Sequence, residues 1–584
     1  MTATQPSTAV PAWRVGVIGA VGALAVGMGV AVGGFLLEAR GAPIGSGASY
    51  VPATAPFYVE LRLEPSAAQD ASLRELLGRF PEIEGVDLER PLYEQLGEVI
   101  DEAQPDTEAI SWSEDIDSWF DGSIGLALLD IPTEAMAPMD PMDPMAAPPI
   151  PSMVGLFGVS DRVAAEAAIG RLRADAAEGL TFTEQVHGDA TIHVADDGGF
   201  AYSLVDDQLI VAPAAEDIVA AIDAHTSSET TLSDAGSITE LTDALPADWL
   251  AFMIYDLTDL MAAAFQQPGA MASPGTDALR ELMEHQSLRG AMAVTAGGDR
   301  VAVETVTDAP TGPLTVENAD RGLADEVPAD ALYYADGGNL GEALTAVIGP
   351  LKDMFGATGG EEQLATIESA LGGDLEELVA WMDDGATVVG WDGEAVYGGM
   401  LIVPTDADEA RRRLGQIETF AGLAAMDPAS GITVETRDAG GEKITSIRWI
   451  DPNAVDPAMP SPVDLSEGVV VEWTVTEDRA LIGVGDQFVE RVLDLDPADS
   501  LAIQARYADA LDELGGASNA GATWLDLRGI RLAVESAVGT SADEATMEFY
   551  TTDIAPWLEP LDRVVGIARL ESELLVSTVV LLVE

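Results

Sequence analysis

The same series of sequence segments occurs twice along the chain. The first series opens with VPATAPFYVEL at Val51, and the second opens with VPADALYYADGGNL at Val327. Each continues through a tryptophan turn into a β-rich stretch, WFDGSIGLALL from Trp119 or WMDDGATVVGW from Trp381. Because matched segments in one fixed order are the signature of an internal repeat, we predict two tandem, pseudo-equivalent copies of one fold.

Later segments of the two series match as well. VGLFGVSDRVAAEAAIGRL and GMLIVPTDADEARRRLGQI each indicate a strand followed by an amphipathic helix, with N-cap chemistry from Ser160-Asp161 and Thr405-Asp406. SLVDDQLIVAPAAEDIVAAID and TVTEDRALIGVGDQFVERVLD each indicate a hairpin and then a helix. Most of these segments indicate hairpins, and the regular alternation of strands and helices that doubly wound parallel folds need is missing. We therefore predict an α+β fold with largely antiparallel sheets and flanking helices.

Two inserts interrupt the match between the series. Residues 131–152 are rich in Pro and Met, and residues 451–464 are rich in Pro. The Met-Asp-Pro repeats exclude a strand or helix, and without nearby histidines they favour a flexible loop over a soft-metal site. We predict copies at residues 48–320 and 325–584, the first with a disordered Pro/Met-rich insert and the second with a Pro-rich insert. A chain of 584 residues fits two domains, since single cores stop growing at about 250 to 300 residues.

An apolar run near the N-terminus predicts a membrane anchor. Residues 15–37, VGVIGAVGALAVGMGVAVGGFLL, carry no polar side chain. At a rise of about 1.5 Å per residue, such a helix crosses a hydrocarbon core of about 30 Å. A cleaved signal peptide is the alternative, but its apolar region usually spans about 7 to 15 residues. We predict a single transmembrane helix that stays attached, between a cytoplasmic arm at residues 1–14 and a linker at residues 38–47.

The orientation of this helix does not follow from charge alone, because Arg14 and Arg40 flank it on opposite sides. The arm before it is short, and no second apolar run of spanning length follows. We therefore predict a single-pass protein of the cell membrane with its large C-terminal body extracytoplasmic. Ala25, Gly29 and Gly33 form a small-xxx-small pattern that is compatible with a weak homodimer through the anchor.

The net charge excludes one class of partner. The chain has 101 acidic and 27 basic residues, a formal net charge of -74, and lysine only at Lys352 and Lys443. Such a field repels phosphate backbones, so we predict no binding of nucleic acid. The acids are spread along the chain, which favours a surface adapted to salt or high pH over a buffer of multivalent cations.

Several kinds of chemistry lack the residues they need. No cysteine is present, so disulfides, thiolate metal sites, thiol catalysis and a lipid-modified N-terminal cysteine are excluded. The sequence contains no G-x-S-x-G, P-loop or H-E-x-x-H motif. Acid pairs are abundant, but among so many acids they do not single out a catalytic pair. We predict no catalytic residues and no cofactor.

The chain has four histidines, all in the first copy, and two of them are candidate metal ligands. His187 and His193 flank Gly188-Asp189 in an expected hairpin, which makes His187, His193 and Asp189 weak candidates for a metal site. The corresponding hairpin of the second copy has no histidine. Because zinc sites need three or four convergent ligands, a surface hairpin without metal is the favoured interpretation.

Short motifs in the body resemble a known family. They are YVPA at Tyr50, FYV at Phe57, LPAD at Leu245 and VPAD at Val327, each at the entry to an expected strand and all after a membrane anchor. This pattern resembles the bacterial domain-of-unknown-function family numbered 3352, whose members are membrane-anchored proteins. The resemblance covers most of the chain after the anchor. It implies architecture and location, and no catalytic residues.

Two functions from different classes fit these observations. The first is a non-enzymatic binding or structural module of the cell envelope, with a protein or an apolar ligand such as a lipid as partner. The second is an enzyme with an unrecognised acid-based or metal-assisted site. A duplicated fold without a recognisable set of catalytic residues favours the binding or structural module. A groove between the two copies is the expected binding surface.

The topology can be tested with protease. Protease added to intact spheroplasts should digest the body from about residue 45 onward, because an attached N-terminal helix leaves it outside. The readout is loss of a C-terminal epitope on an immunoblot, with a cytoplasmic marker as the control for intact cells. Full protection of the epitope would rule out this orientation.

Overall fold

A computed structural model describes most of the body of the protein. The described residues are 45–82, 86–95, 112–131, 151–175, 181–196, 199–226, 230–266, 280, 283, 285–357, 360–371, 373–450, 468–485, 487–541 and 544–584. The predicted anchor with its small-residue pattern, most of the first insert and all of the second lie outside this set. Within the described residues, no helix is both long and apolar enough to cross a membrane.

Twenty strands form the framework of the described residues. The first ten are β1 Phe57–Arg62, β2 Phe120–Asp130, β3 Ser152–Val159, β4 Phe182–His187, β5 Ala190–Ala195, β6 Ala201–Val205, β7 Gln208–Ala212, β8 Ala251–Asp256, β9 Arg289–Gly297 and β10 Arg300–Asp308. The second ten are β11 Ala331–Gly337, β12 Met382–Trp391, β13 Val396–Pro404, β14 Ile432–Ala439, β15 Glu442–Trp449, β16 Val469–Val475, β17 Ala480–Val484, β18 Gly521–Leu525, β19 Leu561–Glu571 and β20 Leu574–Val583. We call residues 45–320 the N-terminal half and residues 321–584 the C-terminal half.

Fourteen α-helices accompany the strands in the described part of the chain. Those of the N-terminal half are α1 Ala67–Leu77, α2 Arg162–Asp175, α3 Ala215–Thr226, α4 Gly236–Thr242 and α5 Thr258–Gln266. Those of the C-terminal half are α6 Leu340–Ala357, α7 Glu361–Leu371, α8 Leu375–Val379, α9 Ala407–Ala424, α10 Phe488–Leu493, α11 Ala505–Glu513, α12 Leu527–Ser541, α13 Glu544–Phe549 and α14 Ala555–Leu558.

All the strands belong to one continuous antiparallel sheet. Its order is β4-β5-β6-β7-β3-β2-β1-β8-β9-β10-β20-β19-β18-β11-β12-β13-β17-β16-β15-β14. The two halves meet where β10 pairs with β20, and we call this pair the seam. Counted outward from the seam, the strands run β10, β9, β8, β1, β2, β3, β7, β6, β5 and β4 on one side. On the other side they run β20, β19, β18, β11, β12, β13, β17, β16, β15 and β14. Each strand of the first ten therefore has a counterpart numbered ten higher.

The two helices that follow β3 and β13 begin in the same way. Asp161 Oδ1 accepts hydrogen bonds from the backbone N–H groups two and three residues further on, at 2.9 and 3.0 Å. Asp406 Oδ1 accepts the equivalent bonds at 2.9 and 3.4 Å. A carboxylate at this position satisfies N–H groups that have no partner inside the helix. The aspartates predicted as N-caps therefore cap α2 and α9.

The residues before these caps take a different role from the predicted one. The Ser160 hydroxyl donates to the Trp119 carbonyl oxygen at 2.9 Å, and the Thr405 hydroxyl donates to the Trp381 carbonyl oxygen at 3.2 Å. Each hydroxyl thus ties the start of a helix to the tryptophan turn before the neighbouring strand. The side chains of both tryptophans are buried.

Each half has its own hydrophobic core, and the seam joins the two. The large buried side chains of the first core include Tyr50, Tyr58, Ile218, Trp249 and Phe252, and those of the second include Tyr334, Phe488, Tyr507 and Trp524. Val576, on β20 of the C-terminal half, is buried in the first core, while Ala302, on β10, packs against the second. The seam strands therefore contribute to the core of the opposite half as well as to their own.

The predicted α+β class with largely antiparallel pairing is confirmed. One boundary differs from the expectation, because the strands do not begin at the Val-Pro-Ala motifs. The first strand begins at Phe57 and its counterpart at Ala331, and the preceding motifs form turns in which Ala55 N–H donates to the Pro52 carbonyl at 3.0 Å and Ala331 N–H donates to the Pro328 carbonyl at 3.1 Å. Proline has no N–H for a sheet ladder, which favours a turn at both places.

The first insert can be removed at a defined point. Asp130 at the end of β2 pairs with Ser152 at the start of β3, so the ends of the insert are adjacent. Replacing residues 131–151 by Asn-Gly, a favoured two-residue hairpin turn, should leave the urea unfolding free energy unchanged or raise it by up to about 2 kcal/mol, since a shorter loop costs less entropy to close. A variant with the insert sequence scrambled is the control. Loss of folded protein on deletion but not on scrambling would mean that the length of the insert is needed.

Candidate functional site

The structure does not bring the candidate histidines together. His187 ends β4, and His193 lies on β5 opposite Glu184. Residues directly opposite share one face of an antiparallel pair, and Glu184 and His187 are an odd number of residues apart, so the two histidines lie on opposite faces. His187 Nε2 contacts Asp223 Oδ1 of α3 at 2.6 Å. Asp189 is exposed in the turn.

His193 has an environment of its own. Its ring stacks on Tyr202 with 4.8 Å between ring centroids, and its Nδ1 lies 3.6 Å from Glu184 Oε1. Burial and the Arg173 guanidinium lower its pKa, while Glu184 opposes them. In the described part of the chain, no group of three histidines or carboxylates is arranged to hold a metal ion. The two histidines are therefore separate side chains with separate carboxylate neighbours.

A second histidine contact has the connectivity of a Ser-His-Asp set. His225 Nδ1 lies 3.5 Å from Ser49 Oγ, and His225 Nε2 lies 3.3 Å from Asp206 Oδ2. The Ser49 hydroxyl, however, donates to the Ser46 carbonyl at 2.7 Å, and Asp206 is largely exposed. The His225 ring stacks on Tyr50 with 3.9 Å between centroids. The arrangement fixes the end of α3 against Tyr50, and the serine proton is directed away from the imidazole.

A buried tyrosine and carboxyl recur at equivalent positions of the two halves. On β1 the Tyr58 hydroxyl donates to Glu60 Oε2 at 2.5 Å, and on β11 the Tyr334 hydroxyl donates to Asp336 Oδ2 at 2.5 Å. Each pair lies two residues apart on one strand and so faces one side of the sheet. Both tyrosines are fully buried, and Glu60 is only 3% exposed.

The two pairs are held by different surroundings. Backbone from Gly45 to Gly47 lies directly over Tyr58 and Glu60, and a Cβ at Gly45 would fall 1.7 Å from a Glu60 carboxyl oxygen. Asp336 Oδ1 instead accepts from the Ala522 N–H of β18 at 2.9 Å. In one half the pair is covered by glycine backbone, and in the other it ties two strands together.

Burial controls the protonation of both carboxyls. It raises the pKa of Glu60, with a further rise from Asp121, while the Tyr58 hydrogen bond and Arg62 act in the opposite direction. Burial likewise raises the pKa of Asp336, against the Tyr334 hydrogen bond. A hydroxyl that donates to a carboxylate stabilises its charged form, so each tyrosine compensates part of the desolvation cost.

Each tyrosine–carboxyl pair lies beside a cavity. The cavity at Glu60 has a volume of about 430 Å³ and a polar, acidic lining of Gly45, Ser46, Glu60, Arg62, Glu64, Pro65, Ser66, Asp121, Gly122 and Ser123. The cavity at Asp336 has a volume of about 210 Å³, and its charged lining residues are Asp320, Arg321, Asp325, Asp336 and Asp512. Arg62 stacks on Trp249, 3.7 Å from the ring centroid, so this cation is held in place.

A third cavity lies at the junction of the two halves, and we call it the junction groove. It has a volume of about 350 Å³ and is lined by Arg79, Phe80, Pro81, Pro556, Glu559, Pro560 and Glu584. Phe80 stacks on Trp557 with 6.4 Å between ring centroids. Arg79 donates to the Gly298 carbonyl at 2.9 Å and to the Val583 carbonyl at 3.2 Å, so it binds both sides of the junction.

The sequence carries a signal for the tyrosine–carboxyl pairs. Aligning the openings of the two series places Tyr58-Val59-Glu60 over Tyr334-Ala335-Asp336, and a tyrosine with an acid two residues on recurs in both. No comparable signal marks the junction groove, since its residues come from positions almost 500 residues apart and share no motif.

The fold and these cavities define an α+β protein built on one large antiparallel sheet. A family model described as "Protein of unknown function (DUF3352)" matches residues 16–549. The chain therefore belongs to this family, as its strand-entry motifs indicated.

Comparisons with individual proteins add little to the family assignment. No curated protein matches the chain. Among solved structures, crystal form I of TP0453 is similar with 8% identity and a TM-score of 0.21, over 45% of this chain and 79% of that one. Crystal form III of TP0453 gives 8% identity and a TM-score of 0.21, over 47% and 83%. A TM-score of 0.21 is too low to support an argument about fold or function.

The role of the tyrosine hydroxyls can be measured with neighbouring variants. Tyr334→Phe removes the donor to the buried Asp336 carboxylate and should cost about 1.5 to 3 kcal/mol of unfolding free energy. The loss should be larger at pH 8 than at pH 5, because only the ionised carboxylate needs the donor. Tyr333→Phe, on the opposite face of the same strand, is the control and should change stability by less than about 0.5 kcal/mol. Equal effects of the two variants in urea unfolding would contradict this role.

Proposed function

We propose that this protein is a membrane-anchored, extracytoplasmic binding module of the cell envelope, which acts by binding a partner and not by catalysis. Its body consists of two copies of one α+β fold, at residues 48–320 and 325–584. The observation that carries the proposal is the junction groove, which is formed jointly by the two halves. A cavity built from both copies gives the doubled fold a binding surface that neither copy has alone.

The strand order supports the duplication. In the described part of the chain, ten strands on each side of the seam follow one order, and this order includes the non-sequential step from β3 to β7 and its counterpart from β13 to β17. The register of the seam is symmetric too. Glu304 pairs with Thr578 at its centre, flanked by the pairs Ala302–Val580 and Val306–Val576. Glu304 and Thr578 hold equivalent places in their halves, as an approximate two-fold axis between them requires.

The lining of the junction groove favours a protein partner. Phe80, Pro81, Pro556 and Pro560 line it beside Arg79, Glu559 and Glu584, and its exposed lining is mainly polar. A volume of about 350 Å³ is at the lower end of ligand pockets, and it suits one or two side chains of a partner better than a lipid tail. Grooves lined by aromatic side chains recognise apolar peptide segments in many binding modules.

Charge defines the partner further. The formal net charge of -74 attracts cationic surfaces over a range set by the salt concentration. Glu559 and Glu584 place carboxylates in the lining, and Glu584 already pairs with Arg528 at 3.6 Å. The proposed partner is therefore a basic protein of the envelope that inserts an apolar side chain next to a lysine or arginine.

The proposal is tested by photo-crosslinking in native membranes. With p-benzoylphenylalanine in place of Phe80, ultraviolet light should join the groove to a discrete partner band. Trp557→Ala in the same chain removes the ring that stacks on this position, and 1 M salt screens the charges, so each should lower the yield at least fivefold.

The control is the same photo-crosslinker at Trp449, an aromatic residue that is 49% exposed on β15, far from the junction. It should give no such band. The same band from both positions, or no band from the groove, would contradict the proposal. A band that forms only with lipid would show that the groove takes an apolar ligand instead of a protein.

A further inference from the structure

The centre of the seam holds a buried acid that the proposed function does not use. Glu304 on β10 lies directly opposite Thr578 on β20, at the position of the approximate two-fold axis. The side chains of Val306 and Val576, at one end of this pair, belong to the first core. Val580, at the other end, belongs to the second. The pair thus lies on the core side of the sheet, between the two cores.

Neither member of the pair has a polar partner. Glu304 is 8% exposed and Thr578 is fully buried. Within the described residues, the Glu304 carboxyl makes no hydrogen bond or ion pair, and the Thr578 hydroxyl oxygen makes no hydrogen bond. Directly opposite residues of an antiparallel pair have Cβ atoms about 5 Å apart, so the carboxyl and the hydroxyl are within reach of each other.

Several charged groups lie on the elements packed against the seam strands. On the same face of the seam, Arg289 pairs with Asp308, and Arg300 pairs with Glu513. The remaining charged groups on the elements packed against the seam strands are Glu240 on α4, which is exposed, and Asp562, Arg563, Arg569 and Glu571 on β19, beyond β20. None of them shifts the proton equilibrium of Glu304, and burial alone raises its pKa to about 7.

We propose that Glu304 is a proton-operated latch on the seam. Its neutral carboxyl is compatible with burial between the two cores and lies within reach of the Thr578 hydroxyl across the strands. When the O–H bond of the carboxyl breaks, the proton passes to solvent, and an unpaired carboxylate is left between two apolar cores. Such a charge is costly to bury, and it weakens the strand pair that joins the halves.

The sign of the effect follows from linkage. A carboxyl whose pKa in the folded protein lies above its unfolded value of 4.5 stabilises the fold fully below about pH 4.5 and loses this contribution as the pH rises through about 7. Between pH 5.5 and pH 8.5, the equilibrium constant for closing the seam should fall roughly 30-fold. The junction groove lies at one end of the same strands. A weaker strand pairing at the seam would therefore also change the shape of the groove.

Hydrogen exchange at the two pH values tests the latch. The experiment uses the full chain and follows the amides of β10 and β20 by mass spectrometry, corrected for the intrinsic pH dependence of exchange. Wild-type protection at the seam should fall roughly 30-fold from pH 5.5 to pH 8.5. In Glu304→Gln, which keeps the shape and removes the acid, the fall should be less than about threefold.

Glu435→Gln is the matched control, since it removes the same charge from an exposed strand position remote from the seam. It should keep the wild-type response. If Glu304→Gln also keeps it, or if the wild type shows none, the latch is refuted. If Glu304→Gln does not fold, the infrared carbonyl band of protonated carboxyls decides, measured in a chain with Glu60→Gln and Asp336→Asn so that these two buried acids do not contribute. Loss of band intensity in parallel with seam protection supports the latch, and an unchanged band refutes it.

Discussion

The architecture depends on the backbone pairing of β10 with β20. Without it, each half would end in a long strand with unpaired N–H and C=O groups, which is a site for aggregation. The pairing satisfies these groups over nine residues of each strand. It also buries Val576 in the opposite core, a contribution of about 1.5 to 3 kcal/mol for one such side chain. The junction groove and the buried acid at Glu304 both exist because these two strands meet.

The scarcity of basic residues explains how the rest of an acidic body is organised. Several of the few arginines form buried ion pairs with acidic residues and do not neutralise the acidic surface. Arg413, on α9, is almost fully buried and pairs with Glu377 and Glu409, which ties α9 to α8. Arg506 bonds both Asp526 and the buried Asp562. Removing one partner from such a buried set leaves an uncompensated charge, so these arginines determine which helices and strands stay together.

Much of the local structure could be predicted from the sequence, because N-caps, hairpin turns and alternating strands are encoded by neighbouring residues. Asp161 and Asp406 cap their helices as predicted. The separation of His187 and His193 was also predictable, since a two-residue turn at Gly188-Asp189 places them on opposite faces. The seam could not be predicted. Its strands are remote in sequence. Glu304 alternates with apolar residues along β10, which is the pattern expected of an acid on the exposed face of a strand. Its burial follows only from a pairing that no local pattern encodes.

Engineered disulfides test the seam register most directly, since the chain has no cysteine of its own. Thr305 and Ser577 are directly opposite and partly exposed. With both changed to cysteine, oxidation should form a disulfide in nearly all molecules, because opposite positions meet the required Cα separation of about 4.4 to 6.8 Å. The pair Thr305→Cys and Leu581→Cys, four residues further along the same face, should remain reduced. A disulfide in the second pair but not in the first would show a different register and contradict the pairing of β10 with β20 that joins the halves.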